Sequence, residues 1–157
     1  MARGKVSAGL LMYRLRDGVE FFLAHPGGPF FVSRDEGHWT IPKGEVHEGE
    51  ELLETAKREF QEEVGIPSSG PYLELGSIRQ KGGKLVHGWA FEGAWDDNSI
   101  HLCNTFRMEW PPYSGKWQEF PEIDRVAFFK LDEARRKIKP TQMQFIDRLL
   151  QSLGTNR

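Results

Sequence analysis

The sequence predicts an α+β fold in which helices cover both faces of a mixed β-sheet. Three observations support this fold class. Segments of strand character lie on both sides of one central helix, two helical segments close the chain, and Gly- and Pro-rich turns separate the elements. The length of 157 residues suits one domain spanning residues 1–157, without internal repeats or linkers.

The N-terminal part of the chain predicts a β-hairpin followed by a long loop. Apolar residues recur along Lys5 to Arg16, Asp17-Gly18 is typical of a hairpin turn, and Val19 to His25 supplies the partner strand. Pro26 to Gly49 has only short apolar islands. A loop of this length inside a compact domain is uncommon and is often functional.

The segment from Glu50 to Val64 gives the clearest helix prediction. Apolar residues such as Ala56 and Phe60 recur at helical spacing, and Gly65 and Pro67 mark the end of the helix.

The second half of the chain predicts four strands and then two helices. The strands are Tyr72 to Gln80, Leu85 to Ala94, Ile100 to Trp110 and Val126 to Lys130. The helices are Asp132 to Lys139 and Pro140 to Leu153.

The composition excludes several classes of function. With 21 Lys and Arg residues against 23 Asp and Glu residues, the chain lacks the basic excess that is typical of nucleic-acid binding proteins. No apolar run approaches the roughly 20 residues that span a bilayer. The segment after Met1 soon meets charged residues, unlike a secretory leader, and the single Cys103 can form no internal disulfide. We therefore expect a cytoplasmic protein without a membrane partner.

Three glutamates on the central helix predict a divalent-cation site. Glu59, Glu62 and Glu63 stand at i, i+3 and i+4, which places them on an arc of about 100° beside the apolar stripe, at the edge of the core. Crowded like charges near a helix C-terminus are unfavourable unless something neutralises them. Mg²⁺ or Mn²⁺ would do so, because hard cations prefer carboxylate oxygens. A solvated acidic face is the alternative interpretation.

The residues around this helix favour the cation site. Gly44 permits a backbone conformation that other residues resist, and its carbonyl could reach a metal. Lys43 places a positive charge beside the site. Arg58 faces away from the glutamate arc, so we expect it to pair with a carboxylate at the junction between loop and helix.

The same residues form a family motif. Gly44, then five residues, Glu50, then seven residues, precede the segment 58–66 with the sequence REFQEEVGI. This pattern resembles the complete Nudix box, G-x5-E-x7-R-E-U-x-E-E-x-G-U, where U is a bulky apolar residue, and all nine defined positions match. The resemblance implies the Nudix fold, an α/β/α sandwich with a mixed, curled sheet.

The resemblance also implies an activity: hydrolysis of the pyrophosphate linkage of a nucleoside diphosphate derivative, with Mg²⁺ or Mn²⁺ as cofactor. It implies that the metal is held by the side chains of Glu59, Glu62 and Glu63 and by the carbonyl of Gly44. Glu50 and Arg58 would organise the loop–helix junction. The predicted substrate-binding residues are Lys43, Arg58 and Trp39.

The attacking water needs a general base. In Nudix hydrolases this is sometimes a glutamate of the box and sometimes a carboxylate of a distal loop. The predicted loop from Glu109 to Asp124 contains the acids Glu109, Glu119, Glu122 and Asp124. We favour Glu119, because some relatives place a metal-binding glutamate at this offset before a strand such as Val126 to Lys130. An ordinary surface acid is the alternative.

Other motifs give weaker signals. The five histidines have no zinc-binding spacing, and no Gly-Lys pair completes a P-loop. Phe30, Trp39, Trp89 and Trp110 could stack on a nucleobase, with core packing as the alternative. Lys81 and Lys84 could contact phosphates or simply be exposed.

The substrate class depends on residues outside the box. The window from Lys81 to Lys84 lacks the Tyr or Pro that marks some dinucleoside-polyphosphate and ADP-ribose subgroups. The segment from Glu109 to Arg125 resembles a bacterial subgroup of NTP pyrophosphohydrolases. We therefore expect a small nucleotide substrate of the nucleoside-triphosphate type. The alternatives are a diadenosine-polyphosphate or RNA 5′-pyrophosphate hydrolase and a non-catalytic, nucleotide-binding regulatory module.

Overall fold

The computed structural model of the chain describes residues 5–96, 101 and 103–154. The strands are β1 (Val6–Leu15), β2 (Val19–Pro26), β3 (Lys43–Glu45), β4 (Leu73–Arg79), β5 (Leu85–Glu92), β6 (Thr105–Glu109), β7 (Trp117–Pro121) and β8 (Ile123–Lys130). The helices are α1 (Leu52–Val64), α2 (Leu131–Lys137) and α3 (Met143–Ser152), with a 3₁₀ turn at Pro140–Gln142. Within the described residues, no helix has the length and apolarity needed to cross a membrane.

A six-stranded mixed sheet forms the centre of the molecule. Its strand order is β4-β5-β1-β2-β8, and β3 also pairs with β1. The pairing of β1 with β5 is parallel, and the other pairings are antiparallel. β6 and β7 form a separate two-stranded sheet.

The sheet is covered on both faces. Because side chains alternate along a strand, Leu10 and Met12 of β1 point to one face and Leu11 to the other. The first face packs against α1 in a cluster that includes Phe60, and the second packs against α3 in a cluster that includes Phe145. Full burial of each such side chain stabilises the fold by roughly 1.5–3 kcal/mol. The predicted fold class, an α/β/α sandwich around a mixed sheet, is confirmed.

Strand β3 lies inside the segment that was predicted to be a long loop. It pairs with the first half of β1, whereas β2 pairs with the end of β1. Gly9 permits this arrangement, because a Cβ at residue 9 would collide with the Pro42 carbonyl and the Lys43 side chain. The chain therefore carries Lys43 and Gly44 across the sheet to the start of α1.

The segment from Glu109 to Asp124 is not the predicted loop, because it contains the end of β6, all of β7 and the start of β8. β6 and β7 pair through Phe106 and Phe120, whose rings lie 5.9 Å apart. Such cross-strand aromatic contacts stabilise a two-stranded sheet that has no core of its own. The predicted strand from Ile100 is shorter, starting at Thr105, and Ile100 itself lies outside the described residues.

Candidate active site

Arg58 fixes the junction between the long loop and helix α1. Its Nε donates a hydrogen bond to Glu50 Oε2 at 2.8 Å, and its Nη2 donates to Glu50 Oε1 at 3.0 Å. The Thr55 hydroxyl, at 2.6 Å, and the His47 backbone N–H, at 3.1 Å, also donate to Glu50. These hydrogen bonds, that of Arg58 above all, hold the pKa of the Glu50 carboxyl well below its usual range. The predicted pairing of Arg58 with a junction carboxylate is confirmed.

Arg58 also contacts the glutamate arc, and the prediction that it faces away was wrong. Its Nη1 donates to Glu62 Oε2 at 3.1 Å and lies 3.5 Å from Glu59 Oε2. Residues 58 and 62 are one turn apart, so a long arginine side chain reaches both the junction and the arc. Every guanidinium nitrogen therefore has a protein acceptor; Nη2 also donates to the Glu45 carbonyl at 3.2 Å.

Glu59 carries an unsatisfied oxygen against the Gly44 backbone. Its Oε2 is buried and has no hydrogen-bond partner within the described part of the chain. A Cβ at residue 44 would collide with the Glu59 carboxylate, so glycine is needed there for space. The expected special backbone conformation is not found, because the φ of Gly44 lies outside the left-handed region. Burial raises the pKa of the Glu59 carboxyl, and the Arg58 guanidinium opposes this.

Glu63 is the most buried acid of the motif, with 9% of its surface exposed. Burial, and to a smaller extent the nearby charge of Glu59, raise the pKa of its carboxyl to about 8, although Lys43 opposes this change. The helix thus places two carboxylates at the edge of the core, as the spacing predicted. Glu63 accepts a backbone hydrogen bond from Lys43, whereas Glu59 Oε2 has none, so these buried charges are only partly compensated.

The carboxylates fit a hard divalent cation. A cation would give the orphaned oxygen of Glu59 a partner and would offset the cost of burying Glu63 in its charged form. An all-oxygen donor set suits Mg²⁺ or Mn²⁺. Within the described residues, no three acidic, His or Cys side chains are already grouped as a metal site, and Glu62 is paired with Arg58. Glu62 would therefore join the other two only by exchanging that partner.

Two of the four acids proposed as general base, the favoured Glu119 and Glu122, have different surroundings in the structure. Glu119 is exposed on β7 and accepts a hydrogen bond from the Thr105 hydroxyl across the hairpin at 3.0 Å. The charge of Glu122, in contrast, raises the pKa of both Glu59 and Glu63. The backbone of Glu122 is held on both sides, since its carbonyl accepts from Gly27 N–H and its N–H donates to the Asn104 carbonyl. The residue offset used for the sequence prediction could not distinguish Glu119 from Glu122, because that prediction took the segment containing β7 to be a loop.

Trp39 lies in the core and not at an open surface. It is 4% exposed, and its indole N–H donates to Asp35 at 2.8 Å. Its ring packs edge-on against Phe129 and His25 and lies under Arg125. The core alternative is therefore what the structure shows, and the predicted stacking on a nucleobase gains no support from it.

Lys43 lies beside Glu63, where the sequence predicted a positive charge. It lines a cavity of about 250 Å³ together with Glu63. Its charge favours the ionised form of Glu63, and Glu63 in turn opposes the lowering of the Lys43 pKa that burial causes.

Comparison with known proteins supports the motif. A family model described as the NUDIX domain matches residues 6–149. The rat bis(5′-nucleosyl)-tetraphosphatase [asymmetrical] is 48% identical over 99 residues, a match that spans 59% of this chain and 63% of the rat protein. The pig protein of the same name is 31% identical over 137 residues, covering 79% of this chain and 85% of its own.

Solved structures show the same fold. An Ap4A hydrolase from C. elegans, in a binary complex, superposes with a TM-score of 0.63 at 24% identity, covering 96% of this chain and 98% of its own. The NUDIX domain of NrtR from Shewanella oneidensis, complexed with ADP ribose, gives a TM-score of 0.68 at 15% identity. The match covers 98% of this chain and 90% of the NrtR chain. Since the family model also spans nearly the whole chain, we conclude that this protein belongs to the Nudix family, as the residues from Gly44 to Ile66 predicted.

Proposed function

We propose that the protein hydrolyses dinucleoside polyphosphates in a reaction that depends on a divalent cation. The observation that carries the proposal is the pair Glu59 and Glu63 on a complete Nudix motif: Glu59 Oε2 is buried without a hydrogen bond, and burial raises the pKa of Glu63 to about 8. The names of the tetraphosphatase relatives support the dinucleoside class, which the sequence offered as an alternative. The nucleoside-triphosphate class stays a prediction, as does the cytoplasmic location.

The protein's own residues divide the work. The Glu59 and Glu63 carboxylates, with the Gly44 carbonyl and then Glu62, would hold the cation. When bound, it would supply a water of lowered pKa and neutralise phosphate charge. The Lys43 ammonium, next to Glu63, would bind a phosphate oxygen of the substrate.

Glu122 is the residue that we assign as general base. Its carboxylate would take the proton of the attacking water, which adds to phosphorus as the P–O bond to the leaving nucleotide breaks. The assignment is supported by the charge of Glu122, which raises the pKa of both Glu59 and Glu63. The role assigned to Glu119 from the sequence has no comparable support.

Arg58 is better assigned to positioning than to substrate binding. All three of its nitrogens donate to protein acceptors, so a substrate phosphate would have to displace one of them. Its role would be to keep Glu50 and the helix in place and to hold Glu62 until the cation arrives.

A nucleotide panel tests the proposal. Diadenosine tetraphosphate, ATP and an RNA with a 5′-triphosphate are incubated with the protein in Mg²⁺, Mn²⁺ or EDTA, and the products are separated by ion exchange. We expect ATP and AMP from diadenosine tetraphosphate in the presence of metal only, with Glu62→Gln as the inactive control. Faster cleavage of ATP would favour the triphosphate class, and no turnover of any substrate would favour the regulatory module.

A further inference from the structure

The cavity beside Glu63 combines positive charge with an aromatic rim. Lys43 and Lys139 line it from segments far apart in the sequence. Phe31 and His38 belong to the long loop, also line it, and have ring centroids 6.3 Å apart. Cations next to exposed aromatic rings are the groups that recognise a phosphate attached to a nucleoside.

Lys139 has a fixed backbone and a free side chain. Its N–H donates to the Trp39 carbonyl at 2.7 Å, and its own carbonyl accepts from Gln142 N–H at 2.8 Å. The side chain is exposed and forms no ion pair with any other described residue. Lys137, two residues earlier, is instead paired with Asp35. The fold therefore places an ammonium group at the edge of the cavity, and the hydrogen-bonding capacity of this group is unused.

The lysines around the cavity repel one another. Lys43 and Lys139 both line the cavity, and Glu63 is the one acid among its lining residues. Two like charges that face the same cavity are unfavourable unless an anion lies between them. An oligophosphate is an anion of the required charge.

We propose that Lys139, together with Lys43, binds a phosphate of the substrate that does not react, and that Lys139 thereby selects substrates with an extended phosphate chain. The inference rests on the proposed function, because the reacting phosphate must lie at Glu59 and Glu63. The cavity of about 250 Å³ is smaller than the roughly 300–1,000 Å³ of typical ligand pockets, so it receives one end of the substrate. Phe31 and His38 face the nucleoside of that end.

Lys139→Gln tests the proposal, with Lys130→Gln as the matched control. Lys130 is also an exposed lysine; it is the last residue of β8 and lines a different cavity. The KM and kcat for diadenosine tetraphosphate are measured with Mg²⁺, and the Kd for inorganic tripolyphosphate is measured by calorimetry without divalent cations. Lys139→Gln should raise the KM and the Kd about tenfold, with kcat changed less than about twofold. Lys139→Arg should restore both constants, and Lys130→Gln should leave them unchanged.

The outcomes separate this inference from the proposed function. Suppose that the wild-type protein cleaves diadenosine tetraphosphate. If Lys139→Gln then has the wild-type KM and Kd, or if Lys130→Gln changes these constants as much as Lys139→Gln does, the lysine site is wrong and the proposed function stands. If the wild-type protein cleaves no nucleotide, the proposed function fails. The tripolyphosphate titration then still tests the lysine site. Equal Kd values for the wild type and Lys139→Gln overturn the site, and a higher Kd for Lys139→Gln supports it.

Discussion

Glu50 and Glu63, two glutamates of the same motif, have opposite surroundings. Glu50 accepts four hydrogen bonds, two of them from Arg58, and the pKa of its carboxyl lies well below the usual range. Glu63 is buried next to Glu59, with Lys43 as its nearby cation, and its pKa is raised to about 8. The fold compensates the charge of the first carboxylate fully, and compensates that of the second only in part, through Lys43.

This difference distinguishes residues that build the site from residues that act in it. A carboxylate with a full set of donors stabilises the native state and has little capacity left for a ligand. A buried carboxylate without them costs stability, which natural proteins tolerate where binding or catalysis requires it. The comparison predicts that substitutions at Glu63 mainly change activity, and that substitutions at the Glu50–Arg58 junction mainly change stability.

The largest effect is expected for Glu63→Gln. We expect turnover to fall by at least about a hundredfold, because the amide is a weaker ligand for the cation and provides no negative charge. The metal-free variant should be at least as stable as the wild type near pH 8, because its amide replaces a carboxylate that is costly to ionise. Steady-state hydrolysis and thermal unfolding in EDTA check the two parts. Full activity in this variant would remove Glu63 from the site.

Glu122→Gln should come next, with a fall in kcat of about a hundredfold, because the base for the attacking water is lost. Glu119→Gln is the matched control and should change kcat by less than about twofold. Both variants should keep the wild-type thermal midpoint, since both side chains are exposed. The reverse pattern, a loss with Glu119→Gln and none with Glu122→Gln, would return the assignment to the one made from the sequence.

Arg58→Met tests the other half of the comparison. The variant loses the hydrogen bonds to Glu50, Glu62 and the Glu45 carbonyl, and we expect the free energy of unfolding to fall by about 2 kcal/mol. Arg135→Met removes an exposed ion pair with Asp147 and should cost less than about 1 kcal/mol. Urea denaturation measures both. Equal losses of unfolding free energy in the two variants would mean that the Glu50–Arg58 junction stabilises the fold no more than a surface ion pair does.

The smallest effect is a pH dependence of the metal-free protein. The ordinary pKa of a Glu carboxyl is 4.5 and that of Glu63 in the folded protein is about 8. Between these values the folded state keeps a proton that the unfolded state has lost, so stability from this group falls as the pH rises. The thermal midpoint in EDTA should fall between about pH 5 and pH 8 by more in the wild type than in Glu63→Gln. Parallel curves for the two proteins would show that Glu63 is an ordinary acid.

The sequence predicted features that depend on local spacing. A period of 3.6 residues placed Phe60 in the core and Glu63 at its edge, and the Gly65 stop signal ended the helix where the structure ends it. The pairing of Arg58 with a carboxylate at the loop–helix junction was predicted in the same way, and in the structure that carboxylate is Glu50. Residues within one helix and its flanking turns keep their relative positions in any fold that contains that helix.

Features that depend on distant pairing were not predicted. Strand β3 exists because Gly9, more than thirty residues earlier, leaves room for it. Glu119 pairs across the β6–β7 hairpin with Arg107. It is instead the charge of Glu122 that raises the pKa of Glu59 and Glu63. Lys139 reaches the cavity only because its backbone pairs with Trp39. No single stretch of sequence contains these relations.

The position of Mn²⁺ in crystals of the protein, located by its anomalous scattering, tests the central claim most directly. We predict a single strong peak in contact with carboxylate oxygens of both Glu59 and Glu63, and its loss in crystals of Glu63→Gln. Crystals grown at Mn²⁺ concentrations that support turnover, with both carboxylates free of metal and the ion bound elsewhere, would contradict the account.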